Sequence, residues 1–477
     1  MSNLIIFDLD GVITSEDAYW DTAGLVLHEL LYSPRYWNLD PNQSGPEGQY
    51  MPAATAEESR RISRALFPEP AILALKARAV NSNWDTCYAA VCLHLIEILR
   101  ALPDRAALQP LRPWDASWLA TFRQQVAQAR GVAGHPQGVS LPYMIDIVRI
   151  LNLPIFQDAV GFELINRFDV YASEVLGFPI ENVFSRYSPF WAFCQDIFQE
   201  WYLGDELYEQ SYGHAPAQPG KRGCIHFEQP LLPLEQVRAA LEELRNQGYT
   251  LGIATGRPEQ EALVPLKLYG LLSYFDQQHI ATSADVERAE ALLRSQGDRA
   301  TLLNKPHPFI FAFAANPNHF VLNGDPFGMP VGAQFIAPAR VEAAQLPVQY
   351  TGFIVVGDST GDILGGRAAG ALTIAVLTGA RTAEARELLA QSEPDFTIED
   401  VIKLPALLQE IDSLATIQRL QFTEREKAEH LLQRWFARHM KLFVDSVTLT
   451  PKAVSLNSFN GFYRVGDDEY FFKTHVE

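Results

Sequence analysis

Four short runs of apolar residues, at 3–7, 250–254, 353–356 and 372–377, constrain this chain more than any other feature. A strand that is apolar along its whole length is buried on both faces. Between these runs lie helical patterns, such as residues 234–246 before the second run and 383–390 after the last. Strand alternating with helix gives a parallel sheet with helices on both faces. The core so defined comprises residues 1–20 and 226–408.

Residues 21–225 break the alternation. They carry helical stretches at 71–79, 88–101, 117–129 and 190–202, separated by breaks such as Pro103, Pro110 and Pro113. Trp37, Trp84, Trp114, Trp118, Trp191 and Trp201 make this stretch rich in aromatic side chains. A chain of 477 residues is long for one core, and the expectation is an α-helical domain inserted after the first strand. Pro216, Pro219, Gly220 and Gly223 mark the return path. Residues 409–477 form a small α+β extension. In it, 423–441 reads as one amphipathic helix capped by Thr423, followed by strands at 443–449, 461–465 and 470–473.

Composition removes several function classes. Apolar content is 48% and charged content 20%, the balance of a globular protein. Lys plus Arg number 38 against 57 Asp plus Glu, a net charge of −19 that repels nucleic acid. No apolar run approaches the ~18 residues of a membrane span. The N-terminus enters a strand at once, which leaves no room for a signal segment and points to the cytoplasm. Cys87, Cys92, Cys194 and Cys224 are scattered without a CxxC pair, so buried reduced thiols are expected rather than disulfides or zinc.

Four segments at the strand ends carry chemistry. In FDLDGVIT, residues 7–14, alternation sends Asp8 and Asp10 to one side of the chain. Two carboxylates so close suit divided labour, one attacking phosphorus and one handling the leaving-group proton. Thr255 and Gly256, in GIATGRP, follow the second strand, where a hydroxyl and a loop amide can grip a phosphoryl oxygen. A helix cap is the bland alternative for Thr255. Arg257 reads either as a substrate contact or as a solvated loop residue. In NKPHPF, Lys305 can neutralise nucleophile and phosphoryl group together, and Pro306 is expected to start the next helix. Asp358 and Asp362, in VVGDSTGD, form a sparse carboxylate set of the kind that Mg²⁺ prefers; helix capping by Asp358 is the alternative. Each segment is ordinary alone. Their order along the strand ends of one parallel sheet is not, because ligands bind beyond the carboxyl edge of such sheets.

The ordered set Asp8-x-Asp10-Gly11, Thr255, Lys305-Pro306 and Gly357-Asp358-x-x-x-Asp362 resembles the haloacid dehalogenase-like (HAD) superfamily. The resemblance covers residues 1–20 and 226–408, including the closing segment 394–408. It implies a Rossmann-like core, with residues 21–225 as an unusually large helical cap that supplies substrate contacts. It also implies a Mg²⁺-dependent phosphohydrolase acting on a small organic phosphate through an aspartyl-phosphate. Asp8 would be nucleophile and metal ligand, and Asp10 the acid/base that ligates the metal through its carbonyl. Thr255, Gly256 and Lys305 would bind the phosphoryl group, and Asp358 and Asp362 would hold the metal.

Asp10 argues against a dehalogenase, which lacks the second acid. A phosphonatase needs a cap lysine, and only Lys76 and Lys221 lie in the cap region. A phosphomutase of the beta-phosphoglucomutase type and a non-catalytic phosphate-binding module are the competing readings. Residues 443–477 resemble the first strands of an aminoglycoside-phosphotransferase-like kinase lobe, with Gly461 in a turn and Lys473 at the nucleotide-binding position, which raises a phosphatase–kinase fusion. An insert at 313–350, with an NGDPFG turn signal, either lines the active-site mouth or decorates the fold.

Overall fold

The computed structural model describes residues 3–39, 52, 55–78, 80, 82–131, 141–142, 144–295, 297–298, 301–317, 353–440, 442–450 and 458–475. Most of the 313–350 insert therefore lies outside the described residues. The chain divides into two units, one made of residues 1–15 and 230–477, the other of residues 16–229.

The first unit is built on six strands: β1 (Asn3–Phe7), β2 (Tyr249–Ala254), β3 (Ile280–Ala281), β4 (Ile354–Gly357), β5 (Leu372–Val376) and β6 (Phe396–Ile398). They form one sheet in the order β3-β2-β1-β4-β5-β6, and every neighbouring pair is parallel. Alternation along β1 explains its apolar sequence. Ile5 and Phe7 enter one core with Val237, Leu241, Leu404 and Leu408. Leu4 and Ile6 enter the opposite core with Val286, Phe309, Phe311 and Ala314. With both faces covered, Leu4 to Phe7 are all apolar, and the first polar side chain after them is Asp8. The four apolar runs became β1, β2, β4 and β5. The edge strands β3 and β6, of two and three residues, are too short to leave a periodic signal.

Two local expectations are corrected. Pro306 does not start a helix: the amide of His307 donates to Asn304 O at 2.9 Å in a turn, and the helix Phe309–Ala315 begins after Pro308. Thr423 is not a cap but the last residue of the helix Leu414–Thr423; the next helix, Arg425–Trp435, follows Glu424. Leu431, Leu432, Val447, Leu449 and Phe472 belong to the same core as β1, so the C-terminal segment is packed on the sheet. Buried Arg434 ties it there, donating to Tyr249 Oη at 2.8 Å, while that hydroxyl donates to Asp412 at 2.8 Å. The extension ends in a second, antiparallel sheet of β7 (Ser446–Leu449), β8 (Ser458–Val465) and β9 (Asp468–His475), in which Lys473 is exposed and pairs in register with Asn460.

The second unit is helical throughout its described residues. Its longest members are Asp17–Tyr32, Asn83–Ala101, Ala116–Gly131, Gly161–Leu176 and Pro189–Tyr212. Local chemistry sets their starts: the Ser82 and Ser188 hydroxyls accept the amides of Asp85 and Trp191, capping two of these helices. All four cysteines are free and buried. Among the described residues no helix is long and apolar enough to cross a membrane.

Candidate active site

Parallel strands deliver their carboxyl ends to one edge of the sheet, and the four segments meet there. The amide of Asp8, directly after β1, donates to Val356 O of β4 at 2.9 Å, which fixes the backbone of the first segment beside the fourth. Lys305 then ties the group together. Its Nζ donates to Asp8 Oδ1 at 2.8 Å and to Ala254 O at the end of β2 at 2.9 Å, and lies 2.7 Å from Asp362 Oδ1. Carboxylate oxygens of Asp8, Asp358 and Asp362 lie within 4.8 Å of one another.

The electrostatics are unbalanced. Burial pushes the Asp8 carboxyl up to about 7; Lys305 opposes this, while Asp362 and Asp10 add to it. Burial alone would lower the Lys305 ammonium, but Asp362 and Asp8 outweigh it and hold it above the usual lysine range. Lys305 is shared by Asp8 and Asp362, and Asp358 completes a cluster of three carboxylates. Carboxylate oxygens grouped this closely suit a hard divalent cation.

Close packing shapes the same place. Gly11 has φ +71°, and a Cβ on it would lie 2.0 Å from Asp358 Oδ2. A Cβ on Gly379, in the loop after β5, would lie 1.6 Å from the same oxygen. Only glycine at both positions leaves room for this carboxylate and a ligand beside it. The donor set and the cradle together fit a cation of the Mg²⁺ type.

Two capping alternatives are replaced by other geometry. The helix Thr360–Ala368 is capped by Ser359, not Asp358: the Ser359 hydroxyl accepts the Asp362 amide, and Asp362 Oδ2 accepts the Ser359 amide at 3.1 Å and its hydroxyl at 2.6 Å. Asp362 is therefore held by one oxygen and presents the other to Lys305. Thr255 caps no helix either. It is fully buried, and its hydroxyl accepts the amide of Arg257 at 3.2 Å. A Cβ on neighbouring Gly256 would meet nothing within 4 Å, leaving open space where a phosphoryl oxygen could sit.

Arg257 is neither solvated nor directed outward. Its side chain is buried and grips Asp10, with Nε 3.1 Å from each carboxylate oxygen and a terminal nitrogen 2.6 Å from Oδ1. Nothing in the sequence announced this pair, because the two residues are 247 positions apart. Gly379 was missed because it matters through a tertiary approach to Asp358; Ser359 was missed although Ser359-x-x-Asp362 is a local capping pattern.

Known proteins are similar to this chain in sequence and fold. A family model described as haloacid dehalogenase-like hydrolase matches residues 222–295, and a HAD-hydrolase-like model matches residues 302–404. An X-ray structure from the Northeast Structural Genomics Consortium superposes with a TM-score of 0.66 at 26% identity, covering 86% of this chain and 99% of that one. These matches and the fold support a hydrolase of the haloacid dehalogenase-like superfamily. Among curated relatives of this HAD-like chain, proteins named pyrophosphatase PpaX from Bacillus mycoides and Bacillus thuringiensis are 26% and 27% identical over 187 residues. Each match covers 39% of this chain, and the matches span 65% and 64% of the relatives' length.

Proposed function

We propose that this chain is a Mg²⁺-dependent phosphohydrolase that cleaves a small phosphate ester through a phosphorylated Asp8. The observation that carries the reading is Lys305 bridging Asp8 and Asp362, with Asp358 within metal-sharing distance. Asp8, Asp358, Asp362 and the Asp10 carbonyl would hold Mg²⁺. When bound, the ion supplies positive charge opposite the phosphoryl oxygens.

The residues divide the work. Asp8 attacks phosphorus in line and forms an acyl phosphate, while Asp10 gives its proton to the departing alcohol as the ester bond breaks. Asp10, now a carboxylate, takes a proton from water, which attacks the same phosphorus and frees Asp8 and inorganic phosphate. Lys305 offsets negative charge on the nucleophile and the phosphoryl oxygens, and Thr255 and Gly256 hold the phosphoryl group in place. Lysine chemistry of the phosphonatase kind lacks a candidate: Lys221 is sealed between Glu29 and Glu200, and Lys76 donates to Glu16 at 2.6 Å.

The helical unit, inserted a few residues after Asp10, is proposed as the cap that sets substrate choice. The buried free thiols support a reducing, cytoplasmic setting. For residues 443–477 the proposal is a kinase-like first lobe, and downstream coding sequence without kinase-like motifs removes it. The test of function is phosphate release with Mg²⁺ across sugar phosphates, nucleotides, small organic phosphates and inorganic pyrophosphate. Turnover that disappears on chelation and in Asp8→Asn supports the reading. A chain that releases no phosphate from any of them is not this enzyme.

A further inference from the structure

Asp10 has two carboxylate oxygens, and the structure treats them differently. Oδ1 accepts Arg257 Nε at 3.1 Å, a terminal Arg257 nitrogen at 2.6 Å and the Thr14 hydroxyl at 3.3 Å. Among the described residues, Oδ2 receives only Arg257 Nε, at 3.1 Å. The same terminal nitrogen of Arg257 also donates to Thr14 Oγ1 at 3.1 Å, so the two donors to Oδ1 brace each other.

Arg257 is itself immobilised. Its other terminal nitrogen donates to Glu261 O at 3.0 Å, its amide donates to Thr255 Oγ1 at 3.2 Å, and its carbonyl accepts the Ser283 amide at 3.0 Å. A planar guanidinium fixed at both ends holds a carboxylate in one plane in a way that a lysine cannot. The arrangement also wires the phosphate-gripping loop to the acid/base, since Thr255 positions the backbone of the residue that carries Asp10.

We infer that Arg257 is a positioning residue that anchors Asp10 by Oδ1 and leaves Oδ2 as the atom that carries the proton. This rests on the proposed role of Asp10 and adds to it the working oxygen and the residue that selects it. In the first half-reaction the proton passes from Asp10 Oδ2 to the bridging ester oxygen, as the P–O bond breaks and the Asp8–phosphorus bond forms. In the second it returns from water to the same oxygen. With Oδ1 tethered, neither transfer requires the carboxylate to turn.

The test separates proton delivery from phosphate binding. Purified chain with Mg²⁺ is assayed on aryl phosphates from 4-nitrophenyl to phenyl phosphate, and kcat/KM is compared in native chain, Arg257→Ala and Thr14→Val. Nitrophenolate leaves without a proton, whereas phenolate needs one. Arg257→Ala is expected to lose ~10²-fold on phenyl phosphate, the scale of general-acid catalysis, and under ~10-fold on the nitrophenyl ester, with KM nearly unchanged. Added guanidinium ion should return part of the phenyl phosphate activity. Thr14→Val, which removes one donor to Oδ1, should shift the series the same way by less, and it carries the test if Arg257→Ala does not fold. A uniform loss across the series with raised KM, or no loss, overturns the assignment. Failure of the native chain to hydrolyse any of the series sinks the phosphatase reading itself, a distinct result from a flat profile in the variants.

Discussion

Each unit of this protein clamps a lysine between two carboxylates. In the first, Lys305 sits between Asp8 and Asp362; in the second, Lys221 sits between Glu29 and Glu200. The side chains of Lys221, Glu29 and Glu200 have no exposure at all, whereas Lys305 retains 17% and Asp8 11%. The sealed cluster is completed by neutral donors and an acceptor: Trp201 Nε1 donates to Glu29, the Ala217 amide donates to Glu200, and Gln218 O accepts from Lys221 at 2.8 Å. The open cluster instead has a third carboxylate, Asp358, cradled by two glycines. The same charge pattern fastens a helical unit when neighbouring groups satisfy it and water is excluded. At the sheet edge the same pattern stays partly exposed, beside the third carboxylate, where the proposed chemistry takes place.

Replacing each lysine by methionine breaks the comparison most sharply. On the proposed mechanism, Lys305→Met should lower turnover by ~10²–10³-fold, because the proposed nucleophile Asp8 and the phosphoryl group lose their shared cation. Lys221→Met strands two buried carboxylates and should destabilise the helical unit by about 3–5 kcal/mol, read by denaturant unfolding. Matching losses of activity and stability in both variants would erase the distinction.

Asp8→Asn sharpens it further. The folded state holds the Asp8 carboxyl at about 7, above its ordinary 3.8, mainly through burial. A raised carboxylate stabilises the fold below its unfolded value and loses that contribution as pH climbs through the folded one. At pH 8 the ionised Asp8 carboxylate is a liability, so Asp8→Asn should be more stable than the native chain by about 1–3 kcal/mol. Unchanged or lower stability would mean that the open cluster is better compensated than its geometry indicates.

The smallest effect belongs to the sealed cluster. Burial raises Glu29 to about 7 despite Lys221, with Glu200 adding to the rise. Its contribution is complete below pH 4.5 and falls away between 4.5 and 7, by at most about 3 kcal/mol. His28 and His94, which burial lowers to about 4, act in the opposite sense, since the unfolded chain gains protons as pH drops below 6.5. The readout is therefore the difference between native chain and Glu29→Gln, which should grow in the variant's favour from pH 5 to pH 8. A difference that stays constant across that range refutes the assignment.

Sequence alone determined which strands lie at the centre of the sheet and which residues end them. Strands buried on both faces are largely apolar, and the first polar residues after β1 and β4, Asp8 and Asp358, fall at the strand ends. The order of strands and the short edges β3 and β6 had no such signature. Only the tertiary structure decided that Arg257 pairs with Asp10, that Gly379 makes room for Asp358, and that Lys221 is sealed while Lys305 is partly exposed. Those facts are contacts between segments as much as 367 residues apart, as in the bond from Thr378 Oγ1 to Gly11 O. Local periodicity records which face of an element is buried; it carries no trace of which distant side chain completes a charge.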